Sequence, residues 1–255
     1  MNLNHYILVA ICAVCCNSAV AADAPYHHLH LTATDAAEAA AWYAEHMGGE
    51  LAASGQVVDY DGVLVVFFVK EEFPGSDGSS VDHIGFSFPD LAAKMSSFEA
   101  AGIKILSEVR DVQGKFKFAF VEDPWGTKIE VMEDPNQVGF HHIHLKSADP
   151  DATFDWYEAA FGGARERFAG MLPALRYGSV WLLVQNSRGA EVAATTGRAI
   201  DHLGWSFPDL AAAAVELKAR GVKFTMEPRP FRDLQIAFIE GPDGVSIELV
   251  QPADE

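Results

Sequence analysis

Over residues 27–32 apolar and polar side chains alternate one for one: Leu29 and Leu31 point one way, His28, His30 and Thr32 the other. This period of two predicts a β-strand with one face on a core. After Asp35 the spacing becomes helical, predicting a helix over 35–47 that ends at Gly48-Gly49, a pair suited to a C-cap. Strands follow near 56–60 and 63–70, joined by Asp61-Gly62, a good hairpin turn. After loop residues Pro74 to Gly78 a second round begins with a strand over 82–88. A helix with Leu91, Met95 and Phe98 on one face is stopped by Gly102. Strands near 103–109, 116–121 and 127–132 complete the round, the last two joined by an Asp-Pro-x-Gly turn.

The same order then repeats. His28-Leu29-His30-Leu31, Asp35, Trp42-Tyr43 and Gly48-Gly49 return at equal spacing as His142-Ile143-His144-Leu145, Asp149, Trp156-Tyr157 and Gly162-Gly163. Asp82-His83-Ile84-Gly85 returns as Asp201-His202-Leu203-Gly204, and the stretch Phe120 to Glu130 as Phe238 to Glu248. Repetition of this kind predicts two copies of one domain, residues 25–134 and 139–252, with a seam at Asp134-Pro135-Asn136-Gln137. The predicted class is α+β. Each domain comprises two βαβββ modules forming a cup-shaped, mostly antiparallel sheet with helices on its outer face.

Alternation also sorts the polar residues. Leu, Ile, Val and Phe belong against the helices, so His28, His83 and Glu130 project into the cup, as do His142, His202 and Glu248. Two imidazoles and a carboxylate on a concave face suit a divalent metal that keeps open positions. Taken singly, each has a blander reading as a solvated strand residue. The halves have diverged in their loops, yet eight of the nine histidines after residue 22 occupy matching positions, His46 being the exception.

Composition narrows the function. The net charge of −18 opposes binding to nucleic-acid phosphates. Residues 1–22 carry an apolar run too short to span a bilayer, followed by Ala19-Val20-Ala21, a small-x-small cleavage pattern. They are read as a signal peptide despite lacking Lys or Arg, which implies a secreted or periplasmic protein with no membrane association after cleavage. Cys12, Cys15 and Cys16 all lie in this segment, so the mature chain has no thiol for a disulfide, a nucleophile or a ligand.

The runs His28-x-His-Leu-x-x-x-Asp35, Asp82-His83-Ile84-Gly85-Phe86 and Asp123-Pro124-x-Gly126-x-x-x-Glu130 resemble the vicinal-oxygen-chelate superfamily of glyoxalase I, fosfomycin- and bleomycin-resistance proteins and extradiol dioxygenases. The resemblance implies one divalent ion per site (Zn, Mn, Fe, Ni or Co). It places the ligands at His28 or His142, His83 or His202, and Glu130 or Glu248. Two groupings are open: His28/His83/Glu130 with His142/His202/Glu248, or His28/His202/Glu248 with His142/His83/Glu130. Glyoxalase I typically adds a ligand on the fourth strand, where Val63–Lys70 and Val180–Gln185 offer mainly Val, Phe, Leu and Trp. Phe120 and Phe238 stand where ring-cleaving members carry Tyr.

His30 and His144 share the face of the first ligand and are candidate catalytic groups, as general base or substrate hydrogen-bonding partner; a supporting or solvated role is the alternative. His27 and His141 are expected to face the helices as structural residues. Trp42, Tyr43, Trp156 and Tyr157 are expected in the core. Lys117, Gln235, Arg229 and Arg232 suggest weakly an anionic substrate, against plain solvation. The expected function is a secreted metal-dependent enzyme that chelates a small oxygen-rich substrate for a lyase, isomerase or addition step. The alternatives are an Fe(II) extradiol-type dioxygenase and a non-catalytic protein that sequesters a metal or an aromatic compound. The domains are expected to pair with each other, with a homodimer also open.

Overall fold

A computed structural model describes residues 23–253, so the expected signal peptide over 1–22 lies outside the described residues. The first module is β1 (Tyr26–Ala33), α1 (Ala36–Met47), β2 (Glu50–Leu51), β3 (Val57–Tyr60) and β4 (Val63–Val69). The second is β5 (Val81–Phe88), α2 (Leu91–Ala100), β6 (Lys104–Val112), β7 (Phe116–Glu122) and β8 (Lys128–Glu133). The third is β9 (Gly139–Ser147), α3 (Pro150–Phe161), β10 (Ala164–Phe168), β11 (Leu172–Tyr177) and β12 (Val180–Asn186). The fourth is β13 (Ile200–Ser206), α4 (Leu210–Ala219), β14 (Lys223–Phe231), β15 (Leu234–Glu240) and β16 (Ser246–Gln251).

Local chemistry accounts for the element boundaries. Asp35, Asp90, Asp149 and Asp209 each accept a hydrogen bond from a backbone N–H two or three residues on, satisfying a donor that the helix leaves unpaired. Asp61 and Gly62 both take positive φ, as a two-residue hairpin turn demands. Among the described residues no helix is long and apolar enough to cross a membrane.

The modules assemble crosswise. One eight-stranded sheet runs β14-β15-β16-β13-β1-β4-β3-β2, the other β10-β11-β12-β9-β5-β8-β7-β6. Each sheet therefore takes one module from each domain, joined by the antiparallel pairs β1–β13 and β5–β9. Of the two groupings left open by the sequence, this assembly brings His28 to His202 and Glu248, and His142 to His83 and Glu130.

A continuous apolar core draws on all four modules, including Leu29, Tyr43, Phe86, Ile143, Tyr157 and Trp205. Tyr26 stacks on Phe140 of the other domain at 6.2 Å and meets the Trp205 ring edge-on at 5.1 Å. Tyr43 and Tyr157 are fully buried, and Trp42 and Trp156 pack against the same core, as the helical spacing implies.

Along the two strand pairs that join the domains, β1–β13 and β5–β9, strict alternation breaks at four places, all next to a projecting histidine. Between the paired positions Tyr26–Trp205 and His28–Gly204, β1 carries one residue more than β13; His141 is the extra residue of β9 opposite β5. On the partner strands the extra residues are Asp201 and Asp82. A bulge re-aims the side chain at the irregularity. The expectation that His27 and His141 face the helices is corrected accordingly. His27 Nδ1 lies 2.8 Å from His28 Nδ1, and His141 Nδ1 2.9 Å from His142 Nδ1. The inserted residue turns each ring back toward its neighbour.

Candidate metal centres

Each cup gathers four buried or nearly buried donors. His28, His30, His202 and Glu248 form one cluster and His83, Glu130, His142 and His144 the other; within a cluster the ligand atoms lie within 4.8 Å of one another. In the first, Glu248 Oε2 is 3.0 Å from His28 Nε2, 3.2 Å from His202 Nε2 and 3.9 Å from His30 Nε2. In the second, Glu130 Oε2 is 3.1 Å from His83 Nε2 and 3.7 Å from His142 Nε2. All six residues expected as ligands are thus brought together, three to a cup. His30 and His144 join them.

The bulges give the ligand rings their second contacts. His83 Nδ1 lies 2.7 Å from Asp82 Oδ1, and His202 Nδ1 lies 2.6 Å from Asp201 Oδ1. A carboxylate that accepts the Nδ1 proton leaves Nε2 aimed at the centre with its lone pair free, the usual arrangement for a metal-bound histidine. These two aspartates were missed as site residues. Their signal was present in the Asp-His pair that both halves repeat.

Charge is divided unevenly. Burial pulls His83 and His202 toward neutrality, but the hydrogen bonds to Asp82 and Glu130, and to Asp201 and Glu248, outweigh it and raise both pKa values. Burial lowers His28 despite its bond to Glu248, and it lowers His30, His142 and His144 further, with neighbouring histidines adding to the effect. For Glu248 the penalty of burial is overcome by the bonds to His202 and His28, leaving it at about 2. Each cluster therefore holds several neutral imidazoles, the protonation state a metal requires.

The donor set fits a divalent ion. Among the described residues His142 Nε2, which lies toward Glu130, is buried without a hydrogen-bond partner, a state that costs about 1–3 kcal/mol unless something else satisfies it; Nδ1 of His30 and of His144 is likewise unpaired. Space is reserved as well. A Cβ on Gly204 would fall 2.0 Å from the His28 ring, and one on Gly85 would fall 2.0 Å from the His142 ring.

The two cups differ around their centres. Asp82 also accepts from Lys128 Nζ at 2.7 Å and Lys146 Nζ at 3.2 Å, whereas Asp201 accepts from the Gly197 backbone N–H at 2.6 Å. Met132, Phe168 and Leu183 form an apolar cluster in the second cup, with Phe116, Phe118 and Trp181 against it. A cavity of about 650 Å³ opens there, reached by Phe116, Met132, Phe168, Arg176 and Trp181. Lys117 is exposed and paired with Glu133 at 2.8 Å, and Arg229 and Arg232 are exposed, so these cations lie outside the centres.

Residues 26–131 and 139–249 match the Glyoxalase/Bleomycin resistance protein/Dioxygenase superfamily, and the chain belongs to that superfamily. It is similar to a probable chloroplastic lactoylglutathione lyase of Arabidopsis thaliana, 29% identical over 192 residues, which covers 69% of this chain and 54% of that protein. The chain thus spans about half the length of that relative. Among solved structures it resembles glyoxalase I of Zea mays, at 18% identity and TM-score 0.73, covering 89% of this chain and 92% of that one. A single-substitution variant of the same maize enzyme matches at 19% identity with the same TM-score and coverage. At these identities the likeness is one of fold.

Proposed function

We propose that the protein is a metal-dependent enzyme of the glyoxalase type, with one divalent ion in each cluster and a small oxygen-rich substrate. The reaction class is a lyase or isomerase step, or addition to an electrophile. The observation that carries the reading is the convergence, twice, of buried imidazoles and a carboxylate from both domains on one point. Such an ion supplies Lewis acidity toward a carbonyl or enediolate oxygen. The chain supplies the rest. His28, His202 and Glu248, and His142, His83 and Glu130, hold the ion; Asp201 and Asp82 take the Nδ1 protons that fix His202 and His83. The apolar wall of the second cup keeps water from the centre and gives a carbon skeleton somewhere to pack.

Phe120 stands edge-on to His83 at 5.0 Å, and Phe238 stands likewise to His202 at 5.0 Å. These rings have no hydroxyl to exchange a proton with substrate, which favours the lyase or isomerase reading over ring cleavage. The name of the Arabidopsis relative points the same way. Export from the cytosol, proposed from residues 1–22, would take the protein away from glutathione, so the substrate class is broader than a glutathione adduct.

The test is elemental analysis of the purified mature chain, followed by turnover assays. The panel would be small dicarbonyl and hydroxy-carbonyl compounds, with and without glutathione. We expect close to two divalent ions per chain, loss of one with His83→Ala or with His202→Ala, and turnover abolished by chelator. A folded protein that takes up no divalent metal would sink the proposal.

A further inference from the structure

Neither cup has a metal donor at the positions beside its first-strand histidines on the neighbouring strand. In the parallel pair β1–β4, His28 lies beside Leu64 and His30 beside Val66; in β9–β12, His142 lies beside Trp181 and His144 beside Leu183. All four neighbours are apolar, and tryptophan nitrogen is a donor of hydrogen only. Among the described residues, the additional nitrogen in each cluster is that of His30 or His144. Each ring lies against a histidine of its own cluster. The His30 and His202 centroids are 4.2 Å apart, and those of His83 and His144 4.5 Å.

The surroundings of His30 and His144 fit ligation better than acid–base work. The His30 ring packs against both Phe68, at 4.1 Å, and His202, at 4.2 Å, and those two rings are themselves 5.6 Å apart. Nδ1 of each is buried with no hydrogen-bond partner among the described residues, so no carboxylate there accepts its proton. A general base is ordinarily oriented by such a partner; Asp82 and Asp201 serve His83 and His202 instead.

We propose that His30 and His144 are the fourth protein ligands of their centres, making each a three-histidine, one-glutamate site. The inference rests on the metal reading above. Three imidazoles move the site's preference toward Fe, Co, Ni, Cu or Zn and away from Mg, Ca and Mn. Four protein ligands would still leave a six-coordinate ion room for two adjacent oxygens of one substrate.

Zinc titration and zinc X-ray absorption of the full mature chain test this without reference to activity. In the wild-type protein we expect two zinc ions, each with three imidazoles. His30→Ala and His30→Phe, the latter keeping a ring against Phe68 and His202, should each weaken one site tenfold or more. The other site, unchanged within twofold, reports that the fold is intact. His144→Ala should do the reverse, and the double variant should retain only two imidazoles per zinc. Two zinc ions with two imidazoles each in the wild type, together with His30→Phe affinity within twofold of wild type, would overturn the fourth-ligand proposal and leave the metal reading standing. A wild-type chain that binds no zinc or other divalent metal would bring down both.

Discussion

Gly204 and Gly85 are the smallest residues in the two centres and the most sharply constrained. Neither has positive φ, so alanine is compatible with the backbone at both. The obstacle is the imidazole over each glycine, within 2.0 Å of where Cβ would stand. A ring can swing away about its own bonds, whereas the strand cannot move without disturbing both neighbours. We therefore expect Gly204→Ala to fold but lose one zinc through displacement of His28, and Gly85→Ala to lose the other through His142. Zinc stoichiometry with a circular-dichroism melting curve checks this; two tightly bound zinc ions in either variant would contradict it. The eight histidines and glutamates of the centres were legible in the sequence because their faces follow from alternation on either side of the bulges. His27, His141, Asp82 and Asp201 were not. An inserted residue reverses facing locally; the repeated Asp-His pair marked the two aspartates, but nothing in the residue types at His27 and His141 announces the reversal.

Among the elements, the link between the first helix of a domain and its last hairpin separates the two copies. Tyr43 on α1 donates to Asp123 Oδ2 at 2.8 Å, and Asp123 also accepts from the backbone N–H of Trp125 and of Thr127. In the other domain the aspartate position is Gly241, and the buried Tyr157 hydroxyl has no hydrogen-bond partner among the described residues. Tyr43→Phe should cost about 1–2 kcal/mol and Tyr157→Phe less than about 0.5 kcal/mol, as read from urea unfolding of the metal-free protein. Equal costs would argue against the pairing.

Burial pushes Asp123 up from 3.8 to about 6, against the bonds from Thr127, Tyr43 and Trp125. The folded state then binds the proton more tightly than the unfolded chain. This group's contribution is greatest below pH of about 4 and declines as pH rises through about 6. Asp123→Asn removes that decline, so the variant's stability relative to wild type should rise between pH 4 and 7 by up to roughly 3 kcal/mol. A difference that stays flat over the range would reject the assignment. Strands, helices and caps were readable because periodicity and Asp or Gly punctuation act locally. Sheet order was not: within-domain and crossed pairing bury the same faces, so hydrophobic pattern cannot choose between them.

For the whole molecule, the deciding fact is that β1 joins β13 and β5 joins β9. Residues 25–134 alone contain His28 and the pair His83/Glu130, but the fold puts these in different sheets. Expressed separately, the fragments 25–134 and 139–252 should bind zinc only when paired, by mixing or by self-association. Light scattering alongside zinc titration would show it. A monomeric 25–134 fragment holding one tightly bound zinc would contradict the crossed assembly.

That crossing has a bearing on inheritance. Duplicated domains commonly free one copy to drift while the other keeps the job. Here a lesion at His28 and one at His202, in different copies, strike the same centre, while lesions at His28 and His83, in the same copy, strike different ones. The chain carries two centres and two copies, and neither copy is a spare for the other.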